Sequence, residues 1–366
     1  MTRRTRINTF LKRAPSLVIS IAVLIFQIAP VVNASNEWVI SAAEPAQMGG
    51  RAPAPLDVGI SVEAKVQNKS GTDMEAAFRK TEALLIGQRL RSEFEKAANW
   101  GVVRLFPQPS VIPHLNVQLT SLESDGRLLK LEVAAVTVNG ETLVSKVYTD
   151  TSTSEDYSVD KGDPFDDLYA TILSDIRAEL SSKSIRKSYL DTVSSLRYAR
   201  ELIPEAFPNY LGQESGLFVV GREPSSEDPM LARLNRLRDY ELLFVDTIDE
   251  QLGSVAYEVG GAYFLWLKSS KEQLDWLDFR RKQGVSPEVL RNESTFTRLQ
   301  AVYAAHRSLK IHEQELFELV LELENEARAT AVYANEQVFK LSGTLKQQYQ
   351  EWRATLRQIN DLESTL

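Results

Sequence analysis

Two dipeptides, Asp125-Gly126 and Asn139-Gly140, cut the stretch 115–148 into three apolar runs, and they constrain the fold more than any other feature of the chain. Asp-Gly and Asn-Gly links between alternating apolar runs are the strongest local hairpin signal, because the favoured two-residue turn needs positive φ at both central positions. Strands are therefore expected over 115–122, 128–138 and 143–148, joined as an antiparallel meander.

The text before the meander alternates in type. Apolar residues at 56, 58, 60 and 62 have the period of two of a half-buried strand. Met74, Ala77, Phe78, Thr81, Leu84, Leu85, Gln88 and Phe94 then fall on one helical face. A short strand over 100–106 is stopped by Pro107 and Pro109, which lack an amide proton for sheet pairing. After the meander, Asp163-Pro164-Phe165 opens a helix whose stripe is Leu168, Ile172, Ile176 and Leu180. Two helices on one face of a small, mostly antiparallel sheet bury these stripes, giving an α+β unit over 56–184.

The remainder, 185–366, is expected to be mainly helical. Helices are assigned to 185–201, 228–250 and 251–282, with breaks around Pro204 to Pro208 and over 221–229. A continuous helical pattern over 294–335, with Leu309, Leu316, Leu319, Val320 and Leu323, is long enough to fold as a hairpin or to pair with another chain. A short strand is expected over 337–343, and Thr344 is placed to cap a last helix reaching Gln358. Without its first 34 residues the chain still has about 330, more than one growing core serves, so two domains are the default.

The first 34 residues have the three parts of a secretory signal peptide. Arg3, Arg4, Arg6, Lys12 and Arg13 are followed by an apolar run over 17–29 and by Val32-Asn33-Ala34 before Ser35. The apolar run falls short of the ~20 residues of a membrane-spanning helix, so cleavage after Ala34 and a periplasmic location are expected, with an uncleaved inner-membrane anchor as the alternative. Residues 35–55, rich in Pro, Gly and small side chains, read as a flexible leader. With no cysteine in the chain, disulfides, thiolate metal sites and thiol nucleophiles are excluded. Removing the signal's five basic residues from the 42 Lys and Arg leaves 37 against 50 Asp and Glu, a net charge of about −13. Such a balance argues against nucleic acid and anionic lipid surfaces as partners and favours neutral or basic ones.

Candidate chemistry is sparse. His306 and His312 are six residues apart, unlike the i, i+4 pair of a helical zinc site, and with His114 they read as surface histidines. Asp163, Asp166 and Asp167 lack the ligand spacing of a calcium loop and read as helix-start carboxylates. Ser215-Gly216 and Ser342-Gly343 lack a nucleophile elbow. Gly260-Gly261 lacks the Lys-Ser/Thr ending of a phosphate loop and reads as a helix kink or a close-packing point. No catalytic, cofactor-binding or metal-binding residue is assigned, and no cofactor is expected.

Two surface readings remain. Tyr257, Tyr263, Phe264, Trp266 and Trp276, with Phe279, form the densest aromatic set; they either pack a core or line a surface for a partner or an acyl chain. Asp228, Arg233, Arg236, Arg238, Asp239, Asp246 and Asp249 form a charge-rich helix, read as a solvated face with i, i+3 and i+4 pairs.

The run Arg197-Tyr198-Ala199-Arg200-Glu201-Leu202-Ile203-Pro204-Glu205-Ala206-Phe207, with Asp228-Pro229-Met230-Leu231-Ala232-Arg233 and Phe244-Val245-Asp246-Thr247, resembles a family of uncharacterised proteobacterial exported proteins, periplasmic or lipoprotein-like. The resemblance extends to Pro55-Leu56-Asp57-Val58-Gly59, Phe78-Arg79-Lys80-Thr81-Glu82 and Leu341-Ser342-Gly343-Thr344 with Tyr349, Trp352 and Arg353. Some members carry a lipid-attachment cysteine or a Gly-rich apolar stretch before the last helices; this chain has neither, so the resemblance does not imply membrane anchoring here. Residues 56–180 are also similar in element order to envelope lipoprotein domains that accompany lipid-transport ABC systems. The resemblance implies no catalytic residue.

Together these readings give the expectation of a non-enzymatic periplasmic or cell-envelope protein whose α+β unit mediates interaction and whose helical region scaffolds, or oligomerises through the long C-terminal helix. The expected partner is another envelope protein. The alternative is a binding module for a lipid or other apolar ligand. A second alternative is a glycan hydrolase using carboxylates alone, which needs two acids about 5–10 Å apart in a cleft.

Overall fold

The computed structural model describes residues 55–65, 73–97, 99–158, 162–183, 185–282, 307–312, 314–316, 318, 330–334 and 337–365. The signal and leader readings, and most of the pattern over 294–335, lie outside the described residues.

The α+β reading holds. Strand β1 (Val58–Ala64) is followed by helix α1 (Asp73–Lys96), β2 (Val103–Leu105), and the meander β3 (Leu115–Ser124), β4 (Leu128–Thr137) and β5 (Thr142–Thr151). The sheet order is β2-β1-β3-β4-β5. β1 lies parallel to both neighbours, and β3, β4 and β5 are antiparallel, with Leu119 opposite Val133 and Leu131 opposite Tyr148. Along β3 and β4 every second residue is buried, including Val117, Leu119, Leu131, Val133 and Ala135, so the pleat sends one set of side chains under the helices. Helix α1 packs on β1 and β2, and α2 (Asp166–Ser182) packs on β5.

Both expected two-residue turns are built differently. Neither Asp125 nor Asn139 has positive φ; only Gly126 (φ 82°) and Gly140 (φ 94°) do. At the second link the Gly140 amide donates to the Thr137 carbonyl (2.8 Å) and the Thr137 amide to the Glu141 carbonyl (2.9 Å), so a tight turn ends in a glycine bulge. At the first, the Asp125 carboxylate accepts from the amides of Arg127 (2.9 Å) and Leu128 (2.8 Å), and the side chain replaces the second positive-φ residue. The two-residue turn with positive φ at both positions occurs instead at Ser215 (φ 51°) and Gly216 (φ 87°), joining β6 (Leu211–Glu214) to β7 (Leu217–Val220). That hairpin, after α3 (Lys187–Leu202), stands in a region read above only as a break between helices.

The expected helices 228–250 and 251–282 are one helix, α4 (Pro229–Lys282), 54 residues and about 80 Å long. Pro229 sits at its first position, where a missing amide costs nothing, and no proline interrupts it afterwards. The last residues of the helical pattern over 294–335 are a strand: β8 (Thr330–Ala334) pairs with β9 (Gln337–Leu341). Helix α5 (Leu345–Thr365) follows, opened by Thr344, whose hydroxyl accepts from the Gln347 amide (3.3 Å) while the Gln347 side chain accepts from the Thr344 amide (2.9 Å). No described helix is long and apolar enough to cross a membrane.

One hydrophobic core runs from the sheet into the helices, joining Ile60, Leu90 and Leu131 to Phe244, Trp352 and Leu356. Helix α4 is its spine. Near its start Phe244 stacks on Tyr349 and Trp352 of α5. Near its end the Ser270 hydroxyl donates to the Asp125 carbonyl (2.6 Å), and Asp278 pairs with Arg127. A Cβ on Gly126 would stand 2.1 Å from the Leu267 carbonyl oxygen, so only glycine lets this turn touch α4.

Candidate functional site

Of the charges read as a solvated face, Arg236, Asp239 and Asp246 are exposed and Asp249 is buried, and most pair across to other elements. Arg233 and Arg236 reach Glu363 of α5, Asp246 receives Arg104 of β2 at 2.5 and 3.1 Å, and Asp249 receives Arg91 of α1 at 2.6 Å. Arg238 donates to the Ile112 carbonyl at 3.0 Å. Local i, i+4 spacing predicts pairs along one helix, but these partners lie on other elements.

Two buried acids lock helices together. Glu241 of α4 is fully buried and accepts from Tyr198 of α3 (2.9 Å) and Tyr349 of α5 (2.5 Å). Burial pushes its pKa up, and Arg353 and the two phenols oppose that. Glu82 of α1 accepts from Tyr263 (2.9 Å) and from Arg79 (2.7 Å).

His114 is buried, not a surface histidine. Its Nδ1 accepts the Asp57 amide (3.0 Å), which places the ring proton on Nε2, donated to Asp191 at 2.7 Å. With both nitrogens engaged in ties between the sheet and α3, the ring has none left to activate a nucleophile. The nearby Ser194 hydroxyl is bound to the carbonyls of Val111 and Ile112, both at 2.9 Å.

The aromatic set divides. Tyr263 is buried on Glu82, Trp266 packs edge-on against Phe78 (4.8 Å) and Phe264 lies against Tyr157 (5.6 Å). Trp276 is half-buried, Phe279 is exposed, and Tyr257 is 90% exposed. Leu265 and Leu277 join Tyr257 and Phe279 as exposed apolar side chains of α4, with Glu258, Glu272 and Asp275 exposed beside them.

Between its two anchors on α1, Asp249 to Arg91 and Tyr263 to Glu82, helix α4 runs antiparallel to α1 and stands off from it. The residues it turns that way are Gly253, Ala256 and Gly260, at helical spacing, with Tyr257 and Gly261 beside them. A Cβ on Gly253, Gly260 or Gly261 would meet nothing within 4 Å, so these glycines leave space where close packing was expected of the pair 260–261. The space is a cavity of about 370 Å³. Helix α1 contributes Leu85, Ile86, Gln88, Arg89 and Ser92; Asp163 and Tyr169 close it from the α2 side.

The polar groups of this cavity are unevenly satisfied. Asp163 pairs with Arg89 (3.2 Å) and accepts the Phe165 amide (3.0 Å), so it is a turn carboxylate and not, like Asp166 and Asp167, part of the first turn of α2. Burial raises its pKa, against the pull of that amide and of Arg89. The Gln88 side-chain nitrogen is buried without a hydrogen-bond partner. Tyr169 is 2% exposed; its hydroxyl makes no hydrogen bond with the described residues and, unlike the Gln88 nitrogen, is not fully enclosed. Burial holds its pKa well above the ordinary tyrosine range, so it is a neutral O–H donor. Tyr169 sits inside the stripe of α2 between Leu168 and Ile172, where sequence alone marks only a core position.

Among the described residues no three His, Asp or Glu side chains are grouped to hold a metal ion. The cavity lining supplies a single carboxylate, Asp163, where hydrolysis by carboxylates alone uses two. Comparison with protein-family models and with curated proteins finds no match.

Proposed function

We propose that this chain is an exported, non-enzymatic protein of the cell envelope that acts by binding another envelope protein. The observation that carries the reading is the outer face of the distal half of α4. There Leu265 and Phe279 expose apolar area among Glu258, Glu272 and Asp275. Such area rimmed by acids suits a partner with an apolar patch edged by Lys or Arg. The buried groups capable of chemistry support the same reading, because His114, Glu82 and Glu241 serve as ties between elements. Export rests on residues 1–34, and the resemblance to exported proteobacterial proteins agrees with it.

The test is a photo-crosslinking residue placed at Leu265 or at exposed Thr149 of β5, in cells. The expected result is an adduct of discrete mass from Leu265 and none from Thr149, in a periplasmic fraction lacking residues 1–34. Equal or absent adducts from the two positions refute the interface; intact chain in the inner membrane replaces export with anchoring.

The α1/α4 cavity favours a second reading, a binding module for a small apolar or amphipathic ligand, since pockets of about 300–1,000 Å³ with few polar groups are the usual form of such sites.

A further inference from the structure

We infer that the α1/α4 cavity is a binding site for an uncharged, medium-chain acyl compound, held by its carbonyl oxygen; the inference rests on the binding-module reading. Three observations meet there. The space exists because α4 presents Gly253 and Gly260 toward α1, with open room where side chains would stand. Its walls include Leu85, Ile86 and Ala256, which offer apolar contact along a chain. Its lining brings the Tyr169 hydroxyl, which makes no bond in the fold, and the Gln88 amide, whose nitrogen is buried without a partner; both are donors and call for an acceptor.

Charge selects further. Arg89 and Asp163 neutralise one another at 3.2 Å, so the lining has no spare cation for a carboxylate or phosphate. An anionic ligand must either displace Asp163 from Arg89 or bring an uncompensated charge into a partly buried space, which is costly. An ester or amide carbonyl accepts from Tyr169 or Gln88 without disturbing the pair. At the packing density of protein interiors, 370 Å³ accommodates about fifteen non-hydrogen atoms, the size of an eight-carbon acyl glycerol.

The experiment is calorimetric titration of the full chain with 1-octanoylglycerol and with octanoate, each below its aggregation concentration, on wild type, Tyr169→Phe and Gly260→Leu. The ester is expected to bind at least about tenfold more tightly than octanoate, in keeping with the cost of an unpaired charge. Tyr169→Phe should weaken the ester about fivefold, the usual worth of one hydrogen bond, without lowering the melting temperature, because the hydroxyl makes no bond in the fold. Gly260→Leu should abolish binding of both. If octanoate binds as well as the ester, or Tyr169→Phe keeps wild-type affinity, the assigned ligand chemistry is wrong while a binding cavity stands. If wild type binds neither probe, or Gly260→Leu binds as wild type does, the cavity is not the site and the binding-module reading fails with it.

Discussion

Replacing Asp249 by Asn should remove a pH dependence of stability that the native carboxylate imposes. Asp249 anchors α4 to α1, with its side chain nearly buried and Arg91 at 2.6 Å. Burial drives its pKa from 3.8 up to about 6; Arg91 and the Leu105 amide pull it down, and Asp246 and Glu95 add to the rise. Because the folded pKa lies above the unfolded one, the folded chain holds this proton more tightly. The stability gained is fully present below about pH 4 and is lost as pH rises through about 6. A shift of about two units at ~1.4 kcal/mol per unit amounts to about 3 kcal/mol between pH 4 and pH 7.5. Urea unfolding followed by tryptophan fluorescence, at half-unit steps over that range, gives the curve for each protein. Asp150, Asp163, Asp239 and Glu241 also have raised pKa values and tilt both curves alike. The difference, wild type minus Asp249→Asn, isolates the one carboxylate and should fall by about 3 kcal/mol as pH rises. A flat difference, or one that grows with pH, would show that Arg91 outweighs burial and that the argument is mistaken.

Gly253→Ala and Gly260→Ala should each stabilise the chain by about 1 kcal/mol in thermal melts, since both are helical and a Cβ meets open space; a loss of stability would mean that α1 packs against these positions. Glu241→Ala should cost about 3–5 kcal/mol in denaturant unfolding, as two buried phenols lose their acceptor and Arg353 keeps only Glu201 as counter-charge; an effect under about 1 kcal/mol would contradict the network. Gly126→Ala should cost more than about 2 kcal/mol and raise hydrogen exchange in α4 around Ser270, because its φ of 82° and the Leu267 carbonyl both reject a side chain; unchanged exchange there would show that the turn does not hold the helix.

The parts of the fold legible in the sequence are those set by local periodicity. Alternation at 117, 119, 131, 133 and 135 marks the buried face of the meander, and Pro107 and Pro109 end β2 where expected. The Ser215-Gly216 hairpin was equally legible, two turn residues ahead of Leu217-Phe218-Val219-Val220, but helical spacing on either side hid it. Partnership is another matter. Spacing shows that Asp246 and Asp249 share a helix with Arg233 and Arg236, yet their salt-bridge partners are Arg104, Arg91 and Glu363, more than a hundred residues distant. Periodicity reports that a face is occupied and is silent about what occupies it.

The candidate cavity follows the same rule and adds an energetic one. Gly253 and Gly260 in the sequence suggest closeness, because a missing side chain usually admits a neighbour. Whether it does so here depends on where the anchors fall, and Arg91 and Glu82 of α1 hold Asp249 and Tyr263 at either end without drawing the intervening turns together. The result forgoes stability twice. Each helical glycine costs about 1 kcal/mol relative to alanine, and the buried Gln88 nitrogen without a partner about 1–3 kcal/mol. Substitutions of one base or one side chain remove either cost, and neither cost helps the core of Ile60, Phe244 and Trp352 to form. Local concessions that are simple to remove and cluster on one 370 Å³ space are what the proposed binding role would leave in a fold otherwise tied through buried pairs.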